Sequence, residues 1–229
     1  MGNCLSGPSV MTLLDDEILK AIQRKAEIIF LKYETKSDYE DVLLISNETC
    51  DKYKFSFFDG VQNKFDLIDY DKNVKIPGPR YNFGKKGIHT IKMVIKEQIL
   101  DFSCMFFNCV NLKEIKGYIN TSESKNLSWM FSNCTSLVDI SALKNIDVSK
   151  VENFEGMFNE CTSLEDISQI KNWNVGKGKN FSSMFKNCKS LKNIDLKWNI
   201  QKEVKIDNIF EGCNMFNNND NIIGMNKIE

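Results

Sequence analysis

Cysteine is the reactive side chain that this sequence places with a rhythm. Of eight cysteines, Cys109, Cys134, Cys161, Cys188 and Cys213 recur every 25 to 27 residues, while Cys4, Cys50 and Cys104 stand outside that spacing. A thiolate can ligate zinc or attack a substrate, and each task needs neighbours. Zinc calls for close ligand pairs or added histidines. The sequence has no CxxC pair and a single histidine, His89. Cys104 lies five residues from Cys109, and one pair does not make a site. Without a second histidine, no nucleophile can be matched with a base and its orienting partner. The glycines spell neither GxGxxG nor GxxxxGK[ST], so no phosphate cradle is recognisable. Asp15-Asp16 and Asp69 with Asp71 lack the calcium-loop pattern. A carboxylate pair assembled only by the fold stays open. The expectation is a chain with no catalytic residue, no metal, no cofactor and no small-molecule substrate, in which the rhythmic cysteines act as small buried hydrophobes.

A second chemistry lies in Met1-Gly2-Asn3-Cys4-Leu5-Ser6. This fits M-G-x-x-x-[ST], the signal for N-myristoylation. Removal of Met1 exposes the Gly2 amine, the group that takes the acyl chain. One myristoyl chain binds membranes only marginally, at about 0.8 kcal/mol per buried methylene, so a second chain on Cys4 is needed for a stable anchor. Gly2 and Cys4 are therefore the expected lipid-attachment residues. Gly7, Pro8 and Ser9 would form a short tether.

The elements that position the cysteines form a repeat. Five segments share the pattern apolar-x-x-(Met/Ile)-Phe-x-x-Cys-x-x-apolar: 102–112, 127–137, 154–164, 181–191 and 206–216. Their conserved-type positions are Met105, Phe106 and Cys109; Met130, Phe131 and Cys134; Met157, Phe158 and Cys161; Met184, Phe185 and Cys188; and Ile209, Phe210 and Cys213. Counted from the Met/Ile anchor, apolar residues or Cys occupy −3, 0, +1, +4 and +7. Such spacing puts them on one side of a helical turn or short helix. Four copies add Ile at +10 (Ile115, Ile140, Ile167 and Ile194), read as a short extended segment. Copies three and four share Trp-Asn-apolar, at Trp173-Asn174-Val175 and Trp198-Asn199-Ile200, and the second has Ile146-Asp147-Val148 at the matching place. One unit is too small to bury its own apolar face, so the copies must stack. The fifth copy, with Ile209, Phe216 and no Ile at +10, reads as a terminal cap followed by a fraying Asn-rich tail.

The MFxxCxxLxxI period of 25–27 residues resembles the BspA-like leucine-rich repeat family, over roughly half of the chain. The resemblance implies an irregular leucine-rich-repeat solenoid that serves as a binding or adhesion surface. Such proteins occur in bacteria, protists and large viruses, and the Lys- and Asn-rich composition here is similar to that of proteins from a protist or an AT-rich genome.

The first half predicts a helix at 12–25, with Leu14, Ile18 and Ile22 in one stripe, then strands at 26–34, 41–46, 52–58, 64–70 and 87–96. Polar or Gly/Pro-containing stretches, notably 75–87, separate them. His89, on the strand face of Ile91 and Met93, reads as packed and hydrogen-bonded. The expected fold class is α+β: a leucine-rich-repeat-like solenoid of about five repeats, capped N-terminally by a helix and a small, mostly antiparallel β-sheet. The expected domains are an acylated flexible tail (1–10), a helix plus β-rich capping region (11–98), the solenoid (99–216) and a polar C-terminal tail (217–229).

Composition bounds the partners. Lys and Arg number 30 against 31 Asp and Glu, for a net charge of −1, and no basic cluster interleaves with aromatics, so nucleic acid is not expected. No run of about 18 apolar residues predicts a membrane-spanning helix. The N-terminus has no secretory-signal pattern, which makes reduced thiols the expected state. The expected function is a non-enzymatic protein–protein interaction scaffold held at the cytoplasmic face of a membrane by its N-terminal lipids. The alternatives are an untethered structural subunit of a cytoskeletal or ciliary assembly, in the cytoplasm or on the cytoskeleton, and an adhesin or effector.

Overall fold

The computed structural model describes residues 16–20, 27–47, 57–192, 194–214 and 225–228. Alternating side chains set the first sheet. In β1 (Ile28–Thr35), β3 (Phe65–Asp69) and β6 (Gly87–Ile95), residues such as Leu31, Tyr33, Phe65, Leu67, Ile91 and Met93 are buried, and most of the side chains between them are partly solvated. That period of two is what a half-buried strand requires. With β4 (Val74–Ile76) and β7 (Leu112–Gly117) they form a five-stranded sheet in the order β4-β3-β6-β1-β7. All its pairings are antiparallel. A separate pair joins β2 (Asp41–Leu43) to β5 (Arg80–Asn82).

β1 holds the two halves together. It registers Leu31 against Ile91 on one edge and against Ile115 on the other. The strand that begins at the first copy's Leu112 thus completes the N-terminal sheet. One buried cluster runs without a break from Ile29 through the sheet to Cys213. The sheet's other face carries Phe30, covered by Ile18 of the helical residues 16–20. Leu14 and Ile22 of the expected stripe lie outside the described residues.

Two local expectations change. The strand expected at 52–58 is not a strand where it is described, since Phe57–Val61 is a short α-helix. Phe57 and Phe58 both pack on Phe65, which consecutive residues of a strand, facing opposite ways, could not do. The stretch 75–87, expected as a connector, contains β5 and the end of β4.

The repeat segments are neither helices nor continuous strands. Every copy has left-handed backbone at −1 and +3: Cys104 and Asn108, Trp129 and Asn133, Gly156 and Glu160, Ser183 and Asn187, Asn208 and Gly212. Such residues end a right-handed helix. Each segment is a ribbon of successive turns, in which N–H groups at 0, +2 and +4 donate to carbonyls three residues back. The intervening N–H groups, at −3, −1, +1 and +3, donate to carbonyls of the next copy at −4, −2, 0 and +2. All four junctions repeat this pattern, as in Phe131 N to Met157 O at 2.9 Å. Single parallel bridges link Asp101, Asn126, Asn153, Asn180 and Lys205 in order.

The expected class, an α+β leucine-rich-repeat solenoid, is therefore corrected. The described chain is β-rich, with its strands mostly in antiparallel sheets and few helical elements. Left-handed residues replace the helical turn. The L-x-x-I segment becomes a strand only as β7, where β1 supplies a partner. In the later copies this region carries short 3₁₀ turns, Ser141–Asn145 and Ser168–Ile170.

The far end also differs from expectation. Met225–Ile228 (β9) runs parallel to β8 (Trp198–Gln201), with Met225 opposite Trp198. Met225 follows Ile209 by 16 positions, as Trp173 follows Met157. These four residues are paired where a frayed tail was expected. No described helix is long and apolar enough to cross a membrane.

Candidate interaction surface

The repeat residues singled out by sequence all point inward. The five anchors, the five Phe residues at +1 and the five Cys residues at +4 are buried. The Phe rings of Phe106, Phe131, Phe158, Phe185 and Phe210 stack face to face at 5.3–5.6 Å, with interplanar angles of 12° or less. Each such pair contributes about 0.5–1.5 kcal/mol beyond its buried area. These residues build the frame, and the surface that meets a partner lies outside them.

The thiols have a role that spacing does not reveal. Cys134, Cys161, Cys188 and Cys213 donate from Sγ to the carbonyls of Phe106, Phe131, Phe158 and Phe185, one copy back, at 3.0–3.1 Å. Each of those carbonyls already accepts an N–H from its own copy, so the thiol fills a second lone pair. Burial pushes the Cys134, Cys161 and Cys188 thiols well above their ordinary range, and Cys213 up to about 11. They are protonated donors, which is the opposite of a reactive thiolate. Among the described residues no group of three or more His, Cys, Asp or Glu side chains is placed to hold a metal. The Cys4 and Gly2 expected to carry lipid lie outside the described residues.

His89 stacks on Phe83 at 4.1 Å and hydrogen-bonds Thr35 and the Lys85 carbonyl, as a packed histidine does. At the front of the stack, Ser46 N–H donates to the Met105 carbonyl at 3.0 Å, taking the place of a preceding copy. The Tyr33 hydroxyl donates to Leu44 O at 2.6 Å. Burial, with Cys109 and Cys134 close by, holds that hydroxyl well above the ordinary tyrosine range.

Two further ladders escaped sequence reasoning. At −4 an Asx side chain accepts the N–H two residues on: Asp101 from Ser103, Asn126 from Ser128, Asn153 from Glu155, and Asn180 from Ser182. This is the Asx-turn that starts the first four ribbons. The recurrent Asp/Asn four residues before the first four anchors was the available signal, with Lys205 at that place in the fifth copy. The Trp-Asn-apolar motif proves to be a ring ladder. Trp173 and Trp198 stack at 6.2 Å and 6°, and their Nε1 atoms donate to Leu143 O and Ile170 O at 2.9 Å.

Outside the frame, equivalent positions differ in chemistry. At +8, Lys113, Val138, Glu165 and Lys192 follow one another, and at +5, Val110, Thr135, Thr162, Lys189 and Asn214. Exposed or half-exposed ion pairs cross the junctions: Lys150–Glu123 at 2.5 Å, Lys179–Glu152 at 2.7 Å, Lys186–Glu211 at 2.9 Å, and Lys192–Glu165. A groove of about 580 Å³ opens beside the Trp ladder, between the loops that include Lys144–Val148 and Ser168–Asn174.

Fold and surface define a β-rich protein of stacked turn repeats closed at one end by an antiparallel sheet. Residues 97–222, more than half of the chain, match the family described as Mycoplasma protein of unknown function, DUF285, and the chain belongs to that family. None of the curated proteins and none of the solved structures compared with the chain matches it.

Proposed function

We propose that this protein is a non-enzymatic interaction scaffold whose stacked repeats hold a protein partner. One observation carries the reading: a buried frame repeated copy after copy displays different side chains at equivalent outer positions, as at +5 and +8. A constant frame with varied outer residues is how binding proteins place recognition chemistry on a stable support. The frame's own cysteines are consumed in junction hydrogen bonds, which supports a structural use for them.

The reading extends to a membrane tether. Myristate on Gly2 and palmitate on Cys4 would hold the scaffold at the cytoplasmic face, on the strength of the MGNCLS motif. Affinity capture with the full chain, wild type and Gly2→Ala, tests both parts. The expected result is one set of protein partners captured by both forms, with only the wild type in the membrane fraction. An unchanged membrane fraction for Gly2→Ala removes the tether. Retention of both forms in a detergent-insoluble fraction points instead to a subunit of a larger assembly.

A further inference from the structure

We infer that the groove beside the Trp ladder is a docking site for an acidic, extended peptide segment of a protein partner. The inference rests on the scaffold reading and names where, and to what, the scaffold binds.

Charge is the first argument. Several lysines of the repeats are paired with carboxylates, as in Lys113–Glu34, Lys116–Glu114, Lys150–Glu123 and Lys179–Glu152. Lys144 and Lys171, both on the groove, have no ion pair among the described residues. Neither does Lys197, whose N–H is bonded to Lys171 O at 2.9 Å. The groove's one carboxylate, Asp147, is already engaged. Its Oδ1 accepts the Ser149 N–H at 2.9 Å, and that bond, with Lys150 nearby, holds its pKa below the ordinary value. The groove therefore carries two ammonium groups against one ionised carboxylate, a net positive charge that favours an anionic ligand.

The remaining lining fits a peptide. Ile146, Val148 and Trp173 supply an apolar floor for one hydrophobic side chain. Gln169, Asn172 and Asn174 bring side-chain amides, which both donate and accept and so match a peptide's N–H and C=O groups. The Gln169 Oε1 atom is buried and has no hydrogen-bond partner among the described residues, while its Nε2 donates to Asp166. Turned toward the groove, that acceptor would be completed by a donor such as a peptide N–H.

The test is fluorescence anisotropy with the full-length protein and a short fluorescein-labelled peptide of alternating glutamate and leucine. The expected result is saturable binding that weakens as salt rises. Lys144→Glu/Lys171→Glu, with an unchanged circular dichroism spectrum, weakens it by about tenfold or more. That variant then gains affinity for the matching lysine–leucine peptide. Equal binding by the wild type and the double variant overturns the proposal. So does binding of phosphatidylserine vesicles, sensitive to the same substitutions, in place of the peptide. Capture of identical partners by the wild type and the double variant also overturns the groove, yet leaves the scaffold reading standing.

Discussion

The thiol of Cys161 donates to the carbonyl of Phe131, thirty residues earlier in the chain and one copy back in the stack, at 3.1 Å. The same carbonyl accepts the Cys134 N–H at 3.1 Å. A side chain small enough for the column, apolar enough to be buried and still able to donate is a narrow requirement, and cysteine meets it. Cys161→Ala is expected to cost about 1–2 kcal/mol, from a small void and a lost donor. Cys161→Ser, which keeps a donor, is expected to cost less. Urea titrations of both variants check this, and the reverse order would mean that the column acts only as apolar filling.

The same thiols predict a pH dependence. In the unfolded chain a cysteine ionises near its ordinary value of 9.0, whereas in the folded protein Cys213 holds its proton up to about 11 and burial holds Cys134, Cys161 and Cys188 well above the ordinary value. Their folded values are raised, so the stability they contribute is complete below pH 9 and is lost as pH rises above it. Thermal unfolding followed from pH 7.5 to 10.5 should show a falling midpoint, with a shallower fall in Cys161→Ala. Peptide-mapped iodoacetamide labelling at neutral pH should leave these four unmodified until urea unfolds the chain.

Left-handed positions predict substitutions of opposite sign. Glu160 carries φ 61° with a β-carbon, so Glu160→Gly should stabilise by about 0.5–1 kcal/mol. Gly156 has φ 59°, and a β-carbon there would stand 2.5 Å from the Trp129 ring. Gly156→Ala should therefore destabilise by about 2 kcal/mol or more. Chemical denaturation of the two variants gives both signs, and a stabilised Gly156→Ala would contradict this account of the turns.

Trp173→Phe keeps a ring in the ladder but removes the donor to Leu143 O. A buried carbonyl left without that bond costs about 1–3 kcal/mol. The expected readout is a lower denaturation midpoint together with a weaker near-ultraviolet circular dichroism signal from the Trp173–Trp198 stack. A midpoint equal to wild type would show that water replaces the indole.

The columns were legible because identical residue types return at fixed intervals, and burial in a stack gives that recurrence its physical cause. The backbone path was not. Apolar residues at −3, 0, +1 and +4 satisfy a helix, and they equally satisfy turns that reverse every four residues. The residues that decide between these, at −1 and +3, include Cys104, Trp129, Ser183 and Glu160, none of which advertises a left-handed backbone. Asn108, Asn133, Gly156, Asn187, Asn208 and Gly212 carried that hint. The strands around 74–82 were hidden because Pro77, Gly78 and Pro79 read as a connector, although the Pro79 carbonyl accepts the Leu44 N–H at 2.7 Å. The groove could not be read at all, because Lys144 and Lys171 are neighbours only once the copies have stacked.

The cross-junction hydrogen bonds of the turn ribbon share one direction. At each junction four ribbon N–H groups, at −3, −1, +1 and +3, aim at carbonyls of the next copy, while bonds outside the ribbon, such as Glu152 N to Lys125 O at 2.9 Å, run the other way. Peptide dipoles aligned in this manner add, as they do along an α-helix axis. The ribbon column is therefore electrically polar, with its negative end toward Met105, where Ser46 donates an N–H, and its positive end toward the fifth copy. Lengthening the array by further copies would add to that field as well as to the length of the frame.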